Sequence, residues 1–301
     1  MLSKTAQSKM IWKKLSESID VTHFTSKSHS QQIYLKKIKA KKKSKAPVTI
    51  FLFHDMASYH GRFMNMISWF QVQHPEVSFV MMDFLGHGLS SGTRGHITKF
   101  SDLVDDTASV FEMLNKDSNE QWVALGHGVG ALALLDLINR FDSEVKDKID
   151  KVILSNFFLN FPSVLLQLQN KIFENFPIVS NALKTSRPVE IYLPEEILSD
   201  SHEQGLYLED PLIVRRPTHQ TLKIVTAKVK SIYQDAYFLD RPTLLLKSES
   251  PYLIGRAMDS FAKGLKKGIL TEKKYSNLKH DLYNERDNIS VFNDIAEWVQ
   301  S

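Results

Sequence analysis

Residues 122–131 read Trp-Val-Ala-Leu-Gly-His-Gly-Val-Gly-Ala, an apolar run followed by three glycines at alternate positions. Trp122 to Leu125 predict a buried strand, and the Ala- and Leu-rich stretch from Ala131 to Phe141 predicts a helix. Gly126, Gly128 and Gly130 allow a turn tight enough to join the two directly. A strand that passes at once into a helix is the repeating unit of a parallel sheet covered on both faces.

The same alternation recurs along the chain. Val48 to Phe53 (VTIFLF) and Val77 to Met82 (VSFVMM) are continuous apolar runs, as strands buried on both faces require. Ile33 to Ile38 alternates apolar and charged residues, the pattern of a half-exposed strand. Lys151 to Leu154, Leu244 to Leu246 and Ile269 to Tyr275 predict three more strands. Phe63, Met64, Met66, Ile67 and Phe70 fall at helical spacing. Phe100 to Leu114 predicts an amphipathic helix, with Ser101 as its cap and Asp105 and Asp106 in its early turns. Ile289 to Val299 predicts a closing helix with Val291, Ile295 and Trp298 on one face. Between Asn156 and Ile213 the alternation stops. Aromatic and leucine clusters with Pro162, Pro177, Pro188 and Pro194 predict a helical insertion there. Its apolar residues are either ordinary core or the lining of a pocket for a greasy ligand. The expected division is therefore 1–156 for the first part of the core, 157–213 for a helical lid, and 214–301 for the rest of the core.

Composition narrows the function classes. At 301 residues, with 43% hydrophobic and 24% charged residues, the chain suits one large globular α/β unit. The absence of cysteine excludes disulfides and thiolate metal sites. Residues 1–20 carry Lys4, Lys9, Lys13 and Lys14 without the apolar stretch of a signal peptide, and no window is apolar enough for a membrane span. These features predict a cytoplasmic protein, with peripheral membrane contact left open. Much of the net charge of +4 sits in the run Lys36 to Lys45. Closely flanking strand segments and the lack of interleaved aromatics favour a solvated hairpin tip over a nucleic-acid site. The histidines His54, His60, His87, His96 and His127 form no HxH or HExxH spacing, so no metal and no cofactor is expected.

The Gly126 to Gly130 segment has the spacing of a nucleophile elbow, G-x-S-x-G, with glycine at the serine position. Three more landmarks accompany it. His54-Asp55-Met56 follows the first buried strand and is similar to a His-Gly-x oxyanion turn. Asp83 to Gly92 (DFLGHGLSSG) matches D-x-x-G-H-G-x-S-x-G, continued by Arg94-Gly95-His96-Ile97. Asp210-Pro211-Leu212 matches the return from a lid. Together these segments resemble the monoacylglycerol lipase and lysophospholipase branch of the α/β-hydrolase fold, related to serine aminopeptidases of the S33 type. The resemblance implies a mostly parallel sheet with helices on both faces, a helical lid, and carboxylic-ester hydrolysis by a Ser, Asp, His triad.

The implied triad is incomplete. The nucleophile position is Gly128, which has no side chain to acylate. The acid position falls on Pro251 in the loop Ser248-Glu249-Ser250-Pro251. Glu249 is either a displaced acid or, as preferred, a surface glutamate in a turn. His280 in His280-Asp281-Leu282-Tyr283-Asn284-Glu285 matches the histidine, and its preferred reading is an orphaned survivor. The resemblance puts the oxyanion donors at the backbone N–H groups of Met56 and Val129, which side-chain changes do not remove. Asp55 replaces the usual glycine there, and a carboxylate pointing inward would repel developing negative charge. An elbow freed from catalysis is expected to keep Gly126 and Gly130 for packing and relax its centre to Gly128. Ser90, Ser91 and Ser155 are the alternative serines, and none sits on an elbow. The leading expectation is a catalytically inactive or severely impaired homologue that keeps a lid-covered apolar pocket for a lipid-like or acyl ligand or serves a regulatory role. The second is an active ester hydrolase whose relocated triad uses His280.

Overall fold

The computed structural model describes residues 19–140, 143–157, 190–234, 239–249, 255–265 and 268–301. Eight strands form one sheet: β1 (Ile19–Thr25), β2 (Gln32–Ile38), β3 (Val48–Phe53), β4 (Val77–Met82), β5 (Gln121–His127), β6 (Lys151–Ser155), β7 (Thr243–Ser248) and β8 (Leu270–Tyr275). Their spatial order is β1-β2-β4-β3-β5-β6-β7-β8. β2 runs antiparallel to β1 and β4, and every later pair is parallel. This is the α/β-hydrolase architecture that the sequence predicts.

Period-two alternation explains the two cores. Ile50 and Leu52 of β3 join Phe79, Met81, Val123, Leu125, Ile153, Leu244 and Leu246 on one face. Phe51 and Phe53 join Val80, Met82, Trp122, Ala124, Val152, Leu154 and Leu245 on the other. The first face is covered by α1 (Met64–Gln73) and, near the chain end, by Val291, Phe292, Ile295 and Val299. The second is covered by α2 (Phe100–Met113) and α3 (Val129–Arg140). After the short α4 (Ser143–Lys146), the described residues between β6 and β7 form α5 (Pro194–Ile197), α6 (Ser201–Glu209) and α7 (His219–Gln234). α8 (Gly255–Gly264) and α9 (Ile289–Gln300) complete the chain. Most of the expected insertion, residues 158–189, lies outside the described residues, as does Pro251. No described helix is long and apolar enough to cross a membrane.

Three local expectations change. β1 was not predicted, because its side chains are mostly exposed and carry no apolar alternation. Ser101 is not the cap of α2: Lys99 holds the cap position with extended backbone and no capping side chain. The lysine run is no hairpin tip either. Lys36 and Lys37 belong to β2, which pairs with β1 and β4, and the chain then crosses over the start of β4 to reach β3. There the N–H groups of Lys41 and Lys42 donate to the Pro75 carbonyl.

Helix α3 packs hard against the sheet because of its glycines. A Cβ on Gly130 would stand 2.1 Å from the Phe53 carbonyl oxygen, and one on Gly126 2.5 Å from Ala131 Cα. Gly205 in α6 has nothing within 4 Å of the same position. Gly130→Ala is therefore expected to destabilise the fold by about 1–3 kcal/mol or more, by overpacking against backbone that cannot yield. Gly205→Ala is expected to stabilise it by about 0.5–1 kcal/mol, by lowering unfolded-chain entropy. Urea unfolding of the two variants checks both signs.

Candidate active site

The site stands at the C-terminal ends of β3 to β7, where parallel strands leave their loops. Each loop is held by a specific bond. After β3, His54 is buried and its Nε2 accepts the Phe84 N–H at 2.9 Å. Nδ1 therefore carries the proton and donates to the Asp55 carbonyl at 2.7 Å. Burial keeps this ring neutral by lowering its pKa.

After β4, the long glycine-rich motif wraps around one buried carboxylate. Asp83 accepts from the His60 N–H at 2.7 Å, from His60 Nδ1 at 2.9 Å and from the Leu89 N–H at 2.8 Å. Gly88 has φ +46, and a Cβ there would stand 2.1 Å from Asp83 Oδ2. Ser90 Oγ donates to the Asp83 carbonyl and accepts the Tyr34 N–H. The most specific motif in the sequence is thus a structural knot. Farther along the loop, Arg94 donates to the carbonyls of Gly88 and Leu212, joining it to the Asp210-Pro211-Leu212 return.

After β5 the elbow keeps the left-handed backbone that strains a residue with a side chain. Gly128 has φ +51, and its N–H donates to the Ser155 carbonyl at 2.9 Å. Glycine takes this left-handed angle at little steric cost, as the sequence reading expects of a centre relaxed to Gly128. What requires glycine here is a neighbour: a Cβ on Gly128 would stand 2.0 Å from Asp55 Cγ. The Asp55 side chain points inward and fills the space that a residue-128 side chain would take.

Asp55 is 2% exposed and meets four donors. Oδ1 accepts the N–H groups of Met56 at 2.7 Å and Val129 at 2.8 Å, the two predicted oxyanion donors. Oδ2 accepts Tyr192 Oη–H at 2.8 Å and His280 Nε2 at 2.8 Å. Burial alone pushes the carboxyl pKa up. The hydrogen bond and charge of His280, the charge of His127 and the Val129 N–H outweigh it and hold the pKa below the usual aspartate value. The sequence flagged this carboxylate as a threat to an oxyanion. In the fold it is itself the anion in the hole.

His280 is buried beside His127 and Tyr192, with ring centroids 4.9 and 5.1 Å away. Its loop is anchored from three sides. Asn156 donates to the His280 carbonyl and to Ser248 Oγ, and takes φ 45, a left-handed angle that asparagine tolerates. Glu285 accepts the N–H groups of Lys279 and Ser199. Arg62 donates to Asp281 at 2.7 Å. His127 Nδ1 is 3.0 Å from Ser155 Oγ, and burial lowers the His127 pKa to about 4.

The structure brings Gly128, Met56, Val129 and His280 together and leaves Glu249 out. Glu249 lies beyond β7 with its side chain 59% exposed, 3.5 Å from Lys274 Nζ. Ser90 and Ser155 are buried and committed to Asp83 and His127. Donor atoms of Asp55, His127 and His280 lie within 4.8 Å of one another, a set of metal-ligating types. Each is already engaged in the hydrogen bonds above. Sequence reasoning missed Tyr192, since one aromatic in a Pro-flanked stretch carries no local signal. The cavity lined by Asp55, His127, Tyr192, Tyr207, His280 and Tyr283 measures about 20 Å³, room for roughly one water molecule.

Two predictions follow from Asp55. Asp55→Asn is expected to cost about 3 kcal/mol at pH 6–7 by breaking a buried pair. The folded pKa of Asp55 lies below its unfolded value near 3.9. Its stabilisation is therefore full above that value and lost as pH falls through the folded pKa. The stability gap between the wild type and Asp55→Asn should close below about pH 4 in urea titrations. Gly128→Ser alone should destabilise, whereas Gly128→Ser with Asp55→Gly should recover part of the loss. A double-mutant cycle is expected to show coupling of about 1–3 kcal/mol.

The serine aminopeptidase S33 family matches residues 44–287 of this chain. Phospholipase YtpA of Bacillus subtilis is 21% identical over 255 residues, covering 83% of this chain and 94% of that protein. The monoacylglycerol lipase of Mycolicibacterium smegmatis is 23% identical over 262 residues, covering 84% and 88%. Among solved structures, a soluble variant of the monoglyceride lipase of Saccharomyces cerevisiae superposes with a TM-score of 0.77 at 14% identity, covering 94% of this chain and 96% of that one. With its sheet order, its elbow and these matches, the chain belongs to the serine aminopeptidase S33 family of α/β-hydrolases and is monoacylglycerol lipase-like in fold.

Proposed function

We propose that this chain is a family member without carboxylic-ester hydrolase activity, retained for ligand binding or regulation in the cytoplasm. One observation carries the reading: the Asp55 carboxylate occupies both oxyanion N–H groups and the volume of the missing nucleophile. An ester carbonyl cannot enter that hole while the carboxylate is there, and among the described residues no serine faces it. In serine hydrolases, loss of the nucleophile alone lowers turnover on the order of a million-fold. Filling the oxyanion hole removes much of what otherwise remains. The exposed position of Glu249 and the Asp55 bond to His280 both weigh against a relocated triad. A lipid-like or acyl ligand, as the phospholipase and monoacylglycerol lipase relatives suggest, would bind toward the lid rather than against the elbow. The small volume beside Asp55 supports that division.

A fluorophosphonate probe is expected to leave every serine unlabelled, and short-chain nitrophenyl esters to hydrolyse at the buffer rate. Stoichiometric labelling of any serine would overturn the reading. The geometry also predicts which changes revive the site. Gly128→Ser with Pro251→Asp should remain unlabelled while Asp55 fills the hole. Adding Asp55→Gly should allow the probe to label the serine introduced at position 128.

A further inference from the structure

We propose that the end of the molecule opposite the elbow is a docking surface for an anionic lipid membrane, built from Lys41, Lys42, Lys43 and Lys45 together with the basic segment 1–18. The inference does not depend on the loss of ester hydrolysis. Sheet register brings the two parts together. Ile19 opens β1 opposite Ile38, the last residue of β2, and Asp20 holds Lys39 Nζ at 2.8 Å. The chain before Ile19 therefore leaves the sheet beside the start of the lysine run. That run is held at both ends. The Lys41 and Lys42 N–H groups donate to the Pro75 carbonyl, and Asn119 Nδ2 donates to the Lys45 carbonyl at 2.8 Å. Pro75 precedes β4 and Lys45 precedes β3, so these lysines stand where the parallel strands begin. About 20 Å of strand separates them from the turn that carries Asp55. Lys41, Lys42, Lys43 and Lys45 are exposed, and none makes an ion pair with a described residue.

Charge and composition select the partner. Lys4, Lys9, Lys13 and Lys14 add four cations, so eight lysines outnumber Glu17, Glu76, Asp117 and Glu120, the acids of these and the adjoining segments. Lysine ammonium groups are point charges that suit a diffuse anionic surface, whereas arginine is the side chain that forks onto phosphates and guanine edges. No arginine precedes Arg62. Residues 9–15 read Lys-Met-Ile-Trp-Lys-Lys-Leu, which sets a tryptophan and three further apolar side chains among lysines. Indole rings favour the headgroup level of a bilayer, and neighbouring lysines attract anionic headgroups. A nucleic acid would instead call for aromatics interleaved with the cations of residues 41–45, and there are none. The rival surface lies at the elbow end, where Leu206 and Leu208 of α6 are 45% and 44% exposed. There α5 and α6 also carry Glu195, Glu196, Glu203 and Glu209, and carboxylates repel an anionic membrane. Opposite signs at the two ends orient the molecule with the elbow facing away from lipid.

The test uses the full chain and vesicles of phosphatidylcholine, with or without one third phosphatidylserine. The wild type is expected to sediment with the phosphatidylserine vesicles at about 0.1 M salt, to be released at about 0.5 M, and to ignore phosphatidylcholine alone. Tryptophan emission is expected to shift to the blue on binding, and Trp12→Ser to abolish the shift. Each lysine near such a surface strengthens binding roughly fivefold, so Lys41→Gln, Lys42→Gln, Lys43→Gln and Lys45→Gln combined should weaken it on the order of a hundredfold or more. These side chains are exposed, so the quadruple variant is expected to fold, which a thermal melt checks. If it does not fold, the Trp12→Ser emission decides. Leu206→Ser with Leu208→Ser is expected to bind as the wild type does. Undiminished binding by the folded quadruple variant overturns the proposal, as does loss of binding in the leucine pair or an unchanged blue shift in Trp12→Ser. So does a wild type that ignores both kinds of vesicle. One that binds a single-stranded oligonucleotide and no vesicle makes the basic end a nucleic-acid surface instead.

Discussion

One carboxylate holds the ends of four chain segments. The turn after β3 supplies Asp55 and Met56, the start of α3 supplies Val129, the segment before α5 supplies Tyr192, and the loop before α9 supplies His280. Hydrogen bonds to a charged group contribute about 1.5–3 kcal/mol each, and a buried charge left unmatched costs more than its bonds contribute. Moving any one segment would leave the carboxylate short of a donor. That asymmetry makes the arrangement all-or-none and explains why Gly128 is obligatory: any side chain there would displace the group on which the others converge.

The persistence of hydrolase motifs follows from the same physics. The loop around Asp83 survives because a buried carboxylate needs its donors, and Gly88 because a Cβ would strike that carboxylate. Gly126 and Gly130 survive because α3 touches the sheet backbone. Asn156 and Glu285 pin the histidine loop whatever the histidine does. The hydrolase motifs present in this chain are therefore ones that packing and polar satisfaction require, whatever the chemistry.

The architecture was legible because strands buried on both faces leave unbroken apolar runs. Val48–Phe53 and Val77–Met82 coincide with β3 and β4, and α2 begins at Phe100 as expected. β1 was illegible because an edge strand with exposed side chains has no such pattern. Lys36 and Lys37 misled because strand charge at a sheet margin resembles the tip of a hairpin. Tyr192 was hidden because its importance lies in a partner far away in sequence.

The sequence by itself determined the fold, the turn at Gly126 to Gly130, the absence of a serine at its centre and the survival of His280. These are properties of local period and of single positions. Only the tertiary structure decided that Asp55 turns inward, takes the nucleophile's place and binds the oxyanion donors. Asp55 and Val129 are 74 residues apart, and no local pattern encodes that meeting. It arises because parallel pairing of β3 with β5 brings their loop ends side by side, where a glycine on one leaves room for a carboxylate from the other.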